Sequence, residues 1–263
     1  MTDRWDDLIT AESYAQHVDY WGIYRQLNHG LARFALEDWK PADKTLVLDL
    51  ACGTGATLEA LLVGLPWDTE VLGVDAAAAM IEQAKLRVPD QRVTWLVQRV
   101  EDLLIKPTGP FDLITCGAAF WHFDASIQRP LMESLTAPGR LAFNLPMAQC
   151  VGESSAPHPI QAALADLLVQ HTQEFPAIHP LFDRREFAEN CSEWGFDLRW
   201  KSQEWKGPQA ALIDLLRIPA IAEMVAPALQ RNQLEALIEE AAGRVDGDQL
   251  VSVGWWLACV TRV

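Results

Sequence analysis

Residues 47–55 read Val-Leu-Asp-Leu-Ala-Cys-Gly-Thr-Gly, and no other stretch narrows the possible folds of this chain as much. Leu46, Val47, Leu48 and Leu50 form an apolar run broken only by Asp49, which predicts a buried strand over Thr45–Leu50. Gly53 and Gly55 then allow a tight turn with positive φ and close approach of the backbone to a ligand. Leu58, Leu61, Leu62 and Leu65 follow at i, i+3, i+4 and i+7, one face of a helix. A strand, a glycine turn and a helix N-terminus make a ready site for a carboxylate or phosphate. Its place at the carboxyl end of a strand is where open α/β sheets bind ligands.

The alternation continues along the chain. Val71–Val74 reads as a strand ending at Asp75, and Ala77, Met80, Ile81, Ala84 and Val88 give a helical stripe stopped by Pro89. Strands are expected at Val93–Val97, Phe111–Cys116 and Arg140–Leu145, with a helix over Ser126–Leu135 between the last two. Strands and helices alternating with short links imply a parallel sheet covered on both faces. Residues 1–40 read as helical and amphipathic, with tyrosines at 14, 20 and 24, followed by a turn at Pro41-Ala42-Asp43-Lys44. Beyond Pro146 come a polar loop to residue 160 and a helix over Ile160–His171. A further helix is expected from Arg184, capped by Asp183, stapled by Phe182 and Phe187 and closed by Gly195. A strand at Phe196–Trp205, helices over 208–225 and 227–243, and a strand at Leu250–Val260 complete the pattern.

Composition bounds the function. The 263 residues suit one large α/β domain with a modest elaboration. A balance of 21 basic to 36 acidic side chains gives −15, a field that repels phosphate backbones, so nucleic acid is a poor partner. No apolar run approaches the ~20 residues of a membrane span, and no signal peptide is visible. The five cysteines are odd in number, widely spaced and free of C-x-x-C, which argues against a disulfide framework or zinc site and for a cytoplasmic protein. His158, His171 and His179 share no metal-ligand spacing. Eleven tryptophans are many for this length, and core and lid packing is the first explanation.

Two carboxylates carry the chemical argument. A dinucleotide site would use G-x-G-x-x-G/A, whereas Leu58 stands at the third small position here. Asp49 would face a pyrophosphate but suits a ligand with an amino group. Asp75, one βαβ step later, can accept hydrogen bonds from both hydroxyls of a ribose, and can equally cap the following helix.

On Val47–Gly55, Val71–Asp75, Val100-Glu101-Asp102-Leu103, Phe111-Asp112-Leu113-Ile114 and Leu135–Phe143, the chain resembles the class I S-adenosylmethionine (SAM)-dependent methyltransferases. The resemblance covers about residues 45–145 and the two last strands. It implies a doubly wound, seven-stranded, mostly parallel Rossmann-like sheet with helical lid elements, the last strand antiparallel and inserted beside the fifth. Residues 1–44 would be an N-terminal helical cap and 45–145 the SAM-binding core. Residues 146–263 would be the rest of the same domain, with lid insertions and the last two strands. Asp49 would bind the methionine ammonium directly or through water, and Ala51, Cys52, Gly53 and Gly55 would line the methionine part. Asp75 would hold the ribose, Ala76 and Met80 would flank the adenine, and Val100 would offer it a backbone N–H. Arg99 stands where the family often has an acidic residue on the adenine amino group, so either Glu101 or Asp102 would substitute there or the contact is missing. Cys116 and Gly117 would lie under the sulfonium.

Phe120-Trp121-His122-Phe123-Asp124 follows the fourth strand, where the family places residues facing the methyl group. Trp121 could lay its ring near the sulfonium. His122 is the candidate general base, weighed against a plain solvated or core-paired histidine. Tyr20 and Tyr24 stand one helical turn apart and are candidates for cofactor or substrate contact. The expected activity is SAM-dependent methylation of a small hydrophobic or aromatic acceptor, at oxygen before nitrogen or carbon, leaving S-adenosylhomocysteine (SAH). A non-catalytic SAM-binding protein and an NAD(P)-dependent oxidoreductase are the competing readings.

Overall fold

The computed structural model describes residues 4–41, 44–105, 109–153, 157–172 and 181–262. The expected turn at 41–44, the lid segment 146–180 and His179 therefore lie partly or wholly outside the described residues.

One sheet of seven strands organises the chain, in the order β3-β2-β1-β4-β5-β7-β6. Its strands are β1 (Leu46–Leu50), β2 (Glu70–Asp75), β3 (Val93–Val97), β4 (Phe111–Cys116), β5 (Leu135–Pro146), β6 (Phe196–Pro208) and β7 (Leu250–Arg262). The first five are parallel, and β7 runs antiparallel between β5 and β6, as expected for a doubly wound sheet of this type. Alternation along the strands splits the core in two. Leu48, Ile114 and Phe143 face helices α5 (Val100–Ile105), α6 (Gln128–Glu133) and α8 (Arg184–Glu193). Val47, Leu113 and Ala142 face α2 (Ile23–Leu36), α3 (Ala56–Leu62) and α4 (Ala78–Arg87).

A third apolar cluster includes Trp205 of β6 and Val251 and Trp255 of β7. It joins the start of α2, through Ile23 and Leu27, to α7 (Pro159–Thr172), α9 (Ala210–Arg217), α10 (Pro219–Val225) and α11 (Arg231–Gly243). Helices α9–α11 are inserted between β6 and β7, whose ends stay paired at Pro208 and Leu250.

Several boundaries differ from the sequence expectation, each for a local reason. The single helix expected over 208–225 is two, because Ile218 precedes proline and takes extended angles (φ −68°, ψ 121°). The helical N-terminal segment is likewise two helices, α1 (Leu8–Trp21) and α2, divided at Gly22 with φ +69°. β5 begins five residues early, at Leu135, which pairs with Phe111. The start of α8 is as expected: Asp183 accepts from the N–H groups of Arg185 and Glu186, and the Phe182 and Phe187 rings lie 5.3 Å apart. Among the described residues no helix is long and apolar enough to cross a membrane.

Candidate active site

The strand order reverses at β1, which has β2 on one side and β4 on the other. Connections leaving in opposite directions open a crevice at the carboxyl ends of these strands. A cavity of about 490 Å³ occupies that position. Leu50, Ala51 and Gly53 of the β1 turn form its centre, Val74, Asp75 and Ala76 the β2 side, and Gln98 to Glu101 the β3 side. Gly117, Ala118, Ala119, His122 and Phe123 form the β4 side.

The glycine turn is folded by its own backbone and by Asp75. Gly53 and Gly55 take φ of +53° and +81°, and Cys52 N–H donates to the Val74 carbonyl at 3.0 Å. A Cβ on Gly55 would meet Ala84 and Val88 at 3.3 Å, so glycine lets α3 start against α4. Ala51 also takes a left-handed φ, +47°, a conformation that disfavours a Cβ. One Asp75 oxygen accepts from Gly53 N–H at 2.8 Å and the other from Ala77 N–H at 2.9 Å. The carboxylate thus clasps the β1 turn to the end of β2. The cap of α4 is Ala77, not Asp75.

Asp49 lies beneath this turn, fully buried and paired in register with Gly73 on β2 and Thr115 on β4. Thr115 Oγ1 donates to Asp49 Oδ1 at 2.6 Å, while Oδ2 is buried with no hydrogen-bond partner. Burial pushes the Asp49 carboxyl up to about 7; the Thr115 bond pulls it down and the neighbouring Asp75 charge adds to the rise. A buried acceptor with no donor suits a ligand bringing a positive charge. The residues present therefore fit an amino-acid nucleoside such as SAM.

The structure brings Ala51, Gly53, Asp75, Ala76, Met80, Val100, Glu101, Gly117 and His122 around one cavity. Glu101 lines the cavity and Asp102 does not; Arg99 lies 3.4 Å from the Glu101 carboxylate. Other candidates lie elsewhere. Asp49, Cys52, Gly55 and Cys116 are buried behind the cavity surface, and burial holds both thiols well above their ordinary pKa. Trp121 turns away from the cavity, its ring 5.9 Å from Trp255 and 4.8 Å from His122. The expectation that Tyr20 and Tyr24 share a helical face fails, because Gly22 ends α1 between them. Tyr20 is 78% exposed and lines a separate surface hollow with Trp21 and Arg217. Tyr24 packs inside, against Tyr14 at 5.4 Å and Trp255 at 6.2 Å.

The individual residues that roof the cavity escaped sequence reasoning, although the N-terminal cap and the later insertions were expected as lid elements. Arg4, Trp5 and Tyr14 close it from the N-terminal segment and Met224 closes it from α10. Tyr14 carried a signal, an aromatic on an amphipathic helix, but nothing local distinguished it from Tyr20. Trp5, Tyr14, Tyr24, Trp255, Trp121 and His122 form a continuous series of ring contacts from the roof back to the β4 side. Burial holds the Tyr14 and Tyr24 hydroxyls protonated, Tyr24 at about 12. Among the described residues no group of three His, Cys, Asp or Glu could hold a metal ion.

Comparison with known proteins agrees with this geometry. Residues 47–137 match the family described as "Methyltransferase domain". A malonyl-[acyl-carrier protein] O-methyltransferase of Anoxybacillus flavithermus is 33% identical over 100 residues, 37% of this chain and 38% of that protein. A trans-aconitate 2-methyltransferase of Enterobacter sp. is 35% identical over 118 residues, 44% of this chain and 43% of that protein. The chain thus spans less than half the length of the curated relatives it matches. The solved SAM-dependent methyltransferase of Geobacter sulfurreducens, in complex with SAH, superposes with a TM-score of 0.55 at 19% identity. It covers 96% of this chain and 98% of that one, a likeness of fold.

Proposed function

We propose, proceeding from this chain's membership of the class I SAM-dependent methyltransferases, that it transfers the methyl group of SAM to an oxygen of a small hydrophobic or aromatic acceptor. The observation that carries this reading is the Asp75 clasp on the Gly53 turn, at the rim of a cavity in the strand-order crevice. Asp75 accepts from the ribose diol, Val100 N–H and Glu101 address the adenine, and Ala76 and Met80 flank it. When SAM is bound, the β1 turn would hold its amino-acid end, and Asp49, with one unpartnered oxygen below that turn, would take the ammonium directly or through water.

When bound, SAM supplies a methyl group already activated by its sulfonium, so the protein's task is chiefly to orient the acceptor, worth roughly 7–11 kcal/mol of barrier. The acceptor lies on the β4 side, where the wall carries His122 as its titratable group. Ala118, Ala119 and Phe123 on that wall give an apolar surface for a flat or greasy molecule. His122 takes the acceptor's hydroxyl proton. The overall charge of −15 disfavours nucleic acid as the acceptor. The five free, buried cysteines suit a reducing compartment such as the cytoplasm.

Calorimetric titration tests the reading. SAH should bind with a Kd of roughly 1–100 μM and NADH should not bind at equal concentrations. His122→Ala should keep SAH affinity within about threefold and slow methylation of a phenolic acceptor panel by roughly 10²–10⁴-fold. A protein indifferent to millimolar SAH would overturn the proposal, and lost SAH binding in His122→Ala would remove the role given to that side chain.

A further inference from the structure

Asn144 is a fully buried amide near the carboxyl end of β5, opposite Leu257 of β7, where neighbouring positions are apolar. Its side chain shares the strand face of Ala142, toward α2 and α3. Oδ1 accepts from Ala118 N–H at 2.6 Å, which fixes the orientation of the amide. Nδ2 is buried with no hydrogen-bond partner, so the bond to Ala118 is what this side chain contributes.

Ala118 requires such a hold. Its φ is +56°, in the left-handed region that disfavours a Cβ. The preceding Gly117 is pressed by the same two helices: a Cβ there would lie 2.4 Å from Thr57 Oγ1 on α3 and 3.2 Å from Asn28 Oδ1 on α2. The turn 117–119 is thus gripped by two helices and a strand, and its backbone is the β4 wall of the cavity. In the sheet order this wall lies beyond β1 from the β2 and β3 ends that take the adenosine half, so it flanks the sulfur and amino-acid half.

We infer that Asn144 is a positioning residue that pins Ala118 in its left-handed conformation and so sets the wall against the sulfur end of the cofactor. This rests on the function proposed above. The effect runs through the backbone, which makes a double substitution decisive. Asn144→Leu keeps the number and branching of the side-chain atoms and removes the acceptor; Ala118→Gly removes the steric reason for needing one.

Three proteins are titrated with SAH and, separately, with adenosine, which reads the Asp75 half alone. Asn144→Leu should weaken SAH at least tenfold, one decade in Kd, and leave adenosine within about twofold. Adding Ala118→Gly to it should restore SAH to within about threefold of the unsubstituted protein. Parallel loss of SAH and adenosine with no rescue by glycine, or unchanged SAH binding in Asn144→Leu, would overturn the assignment. Should the leucine variant not fold, hydrogen exchange in the unsubstituted protein decides. A protected Ala118 amide supports the hold, and one exchanging at the free-peptide rate overturns it. If the unsubstituted protein does not bind SAH, the functional reading falls and this inference with it.

Discussion

Asp49 shows how far one residue can be read in advance. An acidic residue inside an apolar strand before a glycine turn was visible in the sequence as a group with chemical work to do. Its burial was not visible, since exposure depends on β2, β4 and the helices packed around it. That burial has a signed consequence. The Asp49 carboxyl lies at about 7 in the fold against 3.8 as its ordinary value, chiefly through desolvation. A carboxyl raised on folding binds its proton more tightly in the native state. Stability is therefore intact below pH 3.8 and is lost as pH rises through 7. Asp49→Asn keeps an acceptor for Thr115 and carries no charge, so it should raise the melting temperature of the cofactor-free protein, more at pH 8 than at pH 5. Thermal unfolding at the two pH values checks this; an equal gain at both would mean that Asp49 titrates as an ordinary carboxylate. Asp75, Gly53 and Val100 were legible as cavity-lining positions because they stand at or just beyond strand ends. Tyr20 was misread because one glycine, Gly22, resets the helix phase between two tyrosines.

Among the elements, α1 has the most to do and the weakest sequence signature. It packs on α4 through Ala11, Ala77 and Met80, with Trp5 and Tyr14 beside them. On its other side it meets α9, where His17 Nε2 lies 2.9 Å from the Ala211 carbonyl and Trp21 Nε1 donates to Asp214 at 2.7 Å. Arg87, at the end of α4, ties α1 to α3 and α4: its guanidinium lies 2.6 Å from Asp19 and 3.6 Å from Glu59 and donates to the Ala15 carbonyl at 3.4 Å. The Arg87 side chain is 9% exposed but Asp19 is 53% exposed, so screening reduces what the pair contributes. Arg87→Met keeps the stem and should cost about 1 kcal/mol of local stability, roughly a fivefold faster amide exchange across 8–21 with β1 and β4 unchanged. Exchange rates equal to those of the unsubstituted protein would show that α1 is held by its apolar face and the α9 contacts alone. The split of the expected 208–225 helix is the opposite case: Pro219 was in plain view, and the extended preference of the residue before it was the signal to weigh.

At the scale of the whole molecule, two apolar clusters sandwich the sheet and a third binds α7 and α9–α11 to the start of α2. The cavity lies where these parts meet, with its walls from the sheet and its roof from α10 and the N-terminal segment. A ligand that touches wall and roof together stabilises the folded chain by mass action. SAH at about a hundred times its Kd should add about 2.7 kcal/mol, several degrees in melting temperature. A thermal scan in which SAH leaves the midpoint unmoved would contradict a cavity shared by core and lid.

The linear order of residues by itself determined the seven strands, the glycine turn and the two carboxylates at strand ends. Strand periodicity, turn chemistry and the β-then-α alternation act over a few residues and need no partner to be read. Only the tertiary structure decided which side chains close the cavity. Trp5 and Met224 are more than two hundred positions apart and meet through helix packing. The same holds for Asn144, whose single bond to Ala118 exists because β5 lies beside β4. The phase of a helix against a sheet, and the reach of a buried amide to a neighbouring strand, are set by how whole faces pack.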